Sequence, residues 1–179
     1  MEGTISNELA TQLRQICASV ISDDTTGQYD EAVLGSKKDV YVREICKSNV
    51  WGGAIELAIL AEYYDCEIAA IDVESCHQYV FGNTSNKSKR IYLIYSGVHY
   101  DSLVDHMNGV RQRTFHPNDR EVEKQALKAA RLEQAKGAFT NVNKFTLRCS
   151  ICKAGFTGAL EAQGHAQQTM HQQFEEYVK

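Results

Sequence analysis

No stretch of this chain approaches the roughly 20 consecutive apolar residues that a membrane-spanning helix requires. Its opening, Met1-Glu2-Gly3-Thr4, has neither the basic nor the apolar segment of a secretory leader. The expectation is a cytoplasmic protein. Positive charge is scarce where a nucleic-acid binder would need it, because residues 1–109 hold eight Lys and Arg against sixteen Asp and Glu. Nucleic-acid binding rests on neutralised phosphates, so this balance argues against it and suits a basic protein partner. Proline occurs once, as Pro117, in a polar stretch from Asn108 to Asn118 that marks the expected domain boundary.

What is present is enough for one core and one small module: 179 residues, 43% hydrophobic and 9% aromatic. The expected division is a domain over 1–109, a linker and connecting helix over 110–142, and a module over 143–179. Leu9, Leu13, Ile16, Cys17 and Val20 recur at the spacing of one helix face, with Ser6 or Asn7 as cap. Further helices are expected over 29–34, stopped by Gly35, and over 38–48. Trp51-Gly52-Gly53 precedes an almost wholly apolar helix over 54–64, where the glycines serve either close packing or substrate contact. Cys66 to Val73 reads as an interior strand, since its apolar residues are continuous rather than alternating. Gln78 to Phe81 reads as a short strand and Gly82 to Lys89 as an exposed polar loop. Asp119 to Lys136 is strongly helix-forming, with thin apolar content, and is expected to connect rather than to pack. The layout is α+β.

The run Ile91-Tyr92-Leu93-Ile94-Tyr95-Ser96-Gly97-Val98-His99-Tyr100-Asp101 carries the chemistry. Alternation along a strand puts His99 and Asp101 on one face and Tyr100 on the other. A carboxylate beside an imidazole fixes its tautomer and stabilises the imidazolium, as a general base needs. The same pair also occurs simply as a hydrogen-bonded surface feature.

The strongest single motif is Cys149-x2-Cys152-x12-His165-x5-His171. Two thiolates on a knuckle and two imidazoles on a following helix give Zn²⁺ a tetrahedral shell, so a ββα finger with structural zinc is expected. A thioredoxin-like Cys-x-x-Cys would leave the histidines unexplained. The helix positions that meet bases in DNA-binding fingers hold Gly158, Glu161 and Gly164, none of which makes a bidentate base contact.

Trp51-Gly52-Gly53-Ala54-Ile55-Glu56-Leu57, then Cys66-Glu67-Ile68, then the Gly97-to-Asp101 segment and the finger together closely resemble the ovarian-tumour (OTU) family of cysteine deubiquitinases, in its ubiquitin thioesterase branch. The resemblance implies a papain-like fold, hydrolysis of isopeptide or thioester bonds at the ubiquitin C-terminus, His99 as catalytic histidine and Asp101 as its orienting partner. It implies ubiquitin or polyubiquitin as partner, and an AAA ATPase segregase through a region outside these residues. It also implies a nucleophile in an Asp-x-x-Cys box ahead of Trp51. None of the six cysteines has Asp three residues before it. The expectation is therefore a member truncated at its N-terminus and inactive as it stands, with a ubiquitin-binding pseudoenzyme as the first alternative and a nucleic-acid-binding zinc-finger protein as the second.

Overall fold

A computed structural model describes residues 7–48, 50–83, 86–107, 110–141, 146–171 and 173–176. The suggested cap Ser6, and the expected boundaries at 109/110 and 142/143, fall on or beside residues outside this set. By density of contacts the chain divides into two units, Met1–Ala69 with Val80–Ile91 and Thr114–Asn118, and Ala70–Tyr79 with Tyr92–Arg113 and Asp119–Lys179.

The first unit is built on helices α1 (Asn7–Asp23), α2 (Glu31–Leu34), α3 (Lys38–Ile45) and α4 (Ala54–Tyr63). Their apolar faces meet at Cys17, Ile21, Leu34 and Ile59, with Tyr29, Tyr41, Val42 and Ile55 around them. Arg14 of α1 donates to the carbonyl of Ile45 at 2.9 Å, satisfying an orphan acceptor at the end of α3. Asp30 caps α2 by accepting from the Val33 N–H, and Gly35 closes it in the left-handed region.

The apolar helix α4 contains a buried carboxylate. Glu56 is 8% exposed and accepts from the Gly53 N–H at 2.6 Å and from the Tyr41 hydroxyl at 2.7 Å. It thereby serves an orphan donor at the helix start, the reciprocal half of a capping box. Burial, then the Glu56 hydrogen bond, hold the Tyr41 phenol well above its ordinary range. Helix α4 is less enclosed than its composition predicts, because Tyr63 and the following Tyr64 are exposed.

Strands β1 (Glu67–Asp72), β2 (Gln78–Phe81), β3 (Arg90–Tyr95) and β4 (Tyr100–Ser102) form a sheet in the order β2-β1-β3-β4. The first five residues of β1 are buried, as its continuous apolar run predicts. Asp72 at its end accepts from Ser75 and organises a turn. The polar loop after β2 departs from expectation, because Lys87 is buried within it. Its ammonium donates to the carbonyl of Ala61 at 2.9 Å and pairs with Glu62 at 2.9 Å, so the loop is pinned to the end of α4.

In the polar stretch from Asn108 to Asn118, the described residues 110–118 carry structure of their own. Strands β5 (Asp105–Met107) and β6 (Val110–Gln112) pair antiparallel. Phe115 is buried and bridges Arg90 by two backbone bonds of 2.7 and 2.8 Å.

Helix α5 (Arg120–Ala135) is capped by Asp119. The expectation of a merely connecting helix underrated its alanines: Ala126 and Ala130 are buried on one stripe. Along the same helix, Glu123 accepts from Gln78 at 2.9 Å and Gln134 donates to the carbonyl of Glu74 at 2.6 Å. Small side chains at i and i+4 let a helix dock closely, which a count of large apolar residues misses.

The tail forms β7 (Thr146–Cys149), β8 (Gly155–Thr157), α6 (Gly158–Thr169) and β9 (Phe174–Glu176), with β7 central between β8 and β9. The expected ββα finger thus carries a third strand.

Candidate active-site histidine and metal centre

His99 lies in a tight turn joining β3 to β4 rather than on a strand. The Ser96 N–H donates to the carbonyl of His99 at 3.0 Å, and Gly97 takes a positive φ of 94° to close the turn. The pairing Tyr95↔Tyr100 and Ile94↔Asp101 then fixes the alternation. Tyr100 stacks on Tyr95 with ring centroids 4.4 Å apart, while His99 Nε2 stands 3.5 Å from Asp101 Oδ1. The expected pair is therefore brought together, with β4 starting one residue after the histidine. Both side chains are well exposed, at 68% and 76%. An exposed ion pair contributes about 0–1 kcal/mol, so the turn, not the pair, fixes this geometry.

No cysteine among the described residues completes the pair. Asp101 is the polar partner of the His99 ring, while the imidazole–sulfur contacts involve His165 and His171. Cys17 is buried, and its thiol is pushed up to about 11 by burial and then by the Glu56 charge. Burial also raises the Cys66 thiol. Cys17 is a core sulfur, as its helix-interior position predicts, whereas Cys66 is half-buried and stands just before β1.

The tail brings Cys149, Cys152, His165 and His171 together, with one ligand atom of each lying within 4.8 Å of all the others. Cys149 Sγ is 3.7 Å from His171 Nδ1, and Cys152 Sγ is 3.5 Å from His165 Nε2. A tetrahedral zinc shell, with Zn–S of about 2.3 Å and Zn–N of about 2.1 Å, has edges of roughly 3.3–3.8 Å, so the four residues fit that ion. The knuckle is closed by bonds from the Lys153 N–H to the Cys149 carbonyl and from the Cys149 N–H to the Ala154 carbonyl, both at 2.9 Å. Desolvation raises the Cys149 thiol, but the Cys152 and Ile151 N–H groups prevail and hold it below its ordinary range. A thiol so placed is prepared to ligate as thiolate.

One expectation about this centre is corrected. Only His165 is on the helix; α6 ends at Met170, which adopts a left-handed φ of 62°, and His171 follows outside it. Five intervening residues are too many for two imidazoles to face one ion from a continuous helix, and the left-handed cap supplies the change of direction. Phe156 packs on the His165 ring at 4.7 Å, and Ala162 is buried. Glu161 accepts from the Thr157 N–H at 2.7 Å and is committed to the helix start.

A helical unit carrying a capped Trp-Gly-Gly entry, a short sheet whose last hairpin presents His–Asp, and a Cys2His2 tail define the class. The chain belongs to the OTU-like cysteine protease family, whose model matches residues 2–106. Residues 143–177 match the C-terminal C2H2-type zinc finger of ubiquitin thioesterase OTU1. Ubiquitin thioesterase OTU1 of Danio rerio is 38% identical over 180 residues, covering 98% of this chain and 60% of that protein. The Homo sapiens protein of the same name is 37% identical, with 97% and 51% covered. The ovarian tumor domain-containing deubiquitinating enzyme 2 of Arabidopsis thaliana is 40% identical, with 94% and 85% covered. The chain thus spans 51–60% of these two OTU1 relatives. A solved OTU domain in complex with ubiquitin superposes with a TM-score of 0.66 at 25% identity, covering 73% of this chain and 74% of that one.

Proposed function

We propose that this chain is the ubiquitin-recognising and histidine-bearing portion of a cysteine deubiquitinase, hydrolysing isopeptide or thioester bonds at the ubiquitin C-terminus. The observation that carries this reading is the His99–Asp101 pair, held at 3.5 Å by the last hairpin of an OTU-like sheet. In the reaction a cysteine thiolate attacks the carbonyl. His99 takes the thiol proton and later returns it to the leaving amine or thiol, while Asp101 holds the ring and stabilises its cationic form. Zinc held by Cys149, Cys152, His165 and His171 would supply a structural crosslink to the tail.

The attacking cysteine is not among these 179 residues. Cys17 and Cys66 are raised, Cys149 and Cys152 belong to the metal cluster, and Cys46 and Cys76 have no Asp three residues before them. The chain alone therefore binds ubiquitin without cleaving its conjugates. A ubiquitin probe with a C-terminal electrophile tests this: the 179-residue chain stays unlabelled, while a fusion supplying an Asp-x-x-Cys segment upstream is labelled. Cleavage of a fluorogenic ubiquitin substrate by that fusion is lost with His99→Ala. Labelling of any cysteine in the 179-residue chain would overturn the assignment.

A further inference from the structure

The turn that presents His99 is on the outermost strand of its sheet, since β4 follows β3 at one end of the order β2-β1-β3-β4 and is three residues long. An exposed His–Asp pair contributes too little to hold such a turn in one conformation. Three contacts hold it instead. The Tyr95 hydroxyl donates to the Gly97 carbonyl at 2.6 Å. The Thr140 N–H donates to the Ser96 carbonyl at 2.7 Å. The Thr140 carbonyl is packed so closely on Gly97 that its oxygen would lie 1.9 Å from a Cβ there. Gly97 is thus required twice, by its positive φ and by this approach.

Thr140 comes from the far end of α5, and its own position is fixed at both sides. Gly137 ends the helix with a φ of 68°, and the Ala138 N–H returns to the Glu133 carbonyl at 3.0 Å. The Asn141 amide donates to the Glu74 carboxylate, while Gln134 donates to the Glu74 backbone carbonyl. Both anchors are therefore on one residue of the β1–β2 connection. The family matches cover 2–106 and 143–177, and neither includes this segment.

We propose that residues 138–141 form a strap that positions the His99 turn, with Thr140 acting through its backbone as the positioning residue for the catalytic histidine. This rests on the reading of His99 given above. On this view the segment between domain and finger is part of the active-site scaffold rather than a spacer.

The test uses Thr140→Pro, which removes the donating N–H, Thr140→Ala, which keeps it, and Gly97→Ala, which pushes the strap away from the turn side. In the full 179-residue chain, the imidazole signals of His99 are followed by nitrogen-correlated NMR, with His77 as internal control. Thr140→Pro and Gly97→Ala should both shift the His99 signals and weaken the effect of an Asp101→Asn change on them. Thr140→Ala and the His77 signals should stay as in the parent. In the nucleophile-bearing fusion the two disruptive variants should lower kcat by 10-fold or more with KM within about 2-fold, the scale of a small misplacement of a reacting group. His99 signals unchanged in both Thr140→Pro and Gly97→Ala would overturn the strap. Equal shifts in Thr140→Ala would also overturn it, by showing a side-chain or global effect. Activity surviving His99→Ala would instead overturn the catalytic reading, and the NMR arm alone would then decide whether the strap fixes the turn.

Discussion

Replacing Glu56 by alanine removes a carboxylate that is 8% exposed and has two donors, the Gly53 N–H at 2.6 Å and the Tyr41 hydroxyl at 2.7 Å. Hydrogen bonds to a charged acceptor contribute about 1.5–3 kcal/mol each, and a half-buried hydroxyl left alone carries its own desolvation penalty. Loss of the reciprocal capping bond at the start of α4 falls within the first of these terms rather than adding to it. Glu56→Ala should therefore cost about 3–5 kcal/mol, and Glu56→Gln, which keeps one acceptor oxygen, about 1–2 kcal/mol. Trp51 is the single tryptophan, is 68% exposed, and lies two residues before Gly53, so its fluorescence in a urea titration reports on this unit. A double-mutant cycle sharpens the test. Tyr41→Phe alone should cost about 1–2 kcal/mol, but in the Glu56→Ala background it should be neutral or stabilising, because it deletes an orphaned hydroxyl. A Glu56→Ala cost below 1 kcal/mol, or strict additivity with Tyr41→Phe, would refute the reasoning.

Stability should fall above pH 9, since the Cys17 thiol is raised from 9.0 to about 11 and the Tyr41 phenol is raised as well. Both groups are neutral in the fold, so their contribution is complete below the unfolded pKa and is lost as pH climbs through it. For Cys17 the loss reaches about 2 kcal/mol by pH 11. Urea midpoints from pH 8 to 11 should show this slope, and Cys17→Ala should flatten it; a parent slope unchanged by Cys17→Ala contradicts the burial argument. Purified protein should contain one zinc per chain, and Cys149→Ser should lose it while the Trp51-reported transition stays within about 0.5 kcal/mol of the parent, as for a site in an independent unit; full zinc retention in that variant would sink the ligand assignment. The acidic portion, not the finger, should carry most ubiquitin affinity, so Cys149→Ser should leave the Kd from a ubiquitin titration within about 3-fold of the parent, and loss of most binding would reverse that assignment.

The gathering of His99 with Asp101, and of Cys149 and Cys152 with His165 and His171, was legible because it follows short-range rules. Alternation places His99 beside Asp101 whether or not the histidine is itself in the strand, and a Cys-x2-Cys with two following histidines has few other uses. The Glu three residues after Gly53 was a visible capping signal, yet the helix read only as almost wholly apolar. What stayed hidden depends on partners distant in sequence. Lys87 looks solvated in a loop of Asn and Ser because nothing local announces the Ala61 carbonyl that receives it. Phe115 looks like linker because its bridge to Arg90 spans a separation that periodicity does not register. Thr140 could not be found at all, since its contribution is made by its backbone. His171 was placed on the helix because sequence spacing does not show the left-handed Met170 that ends it.

The third strand of the tail has a consequence for colloidal behaviour. Strand β7 is paired on both sides, by Arg148↔Gly155 with β8 and by Arg148↔Glu175 with β9. Strand β9 starts at Phe174, three residues after the second histidine, so a metal gathering Cys149 and His171 would also hold an edge closed. Chelation would expose unpaired N–H and C=O groups on a strand that carries Leu147, an open template for pairing with another chain. The metal would then guard solubility as well as shape, and metal-stripped protein would be lost to self-association in proportion to its concentration rather than accumulating as a frayed monomer.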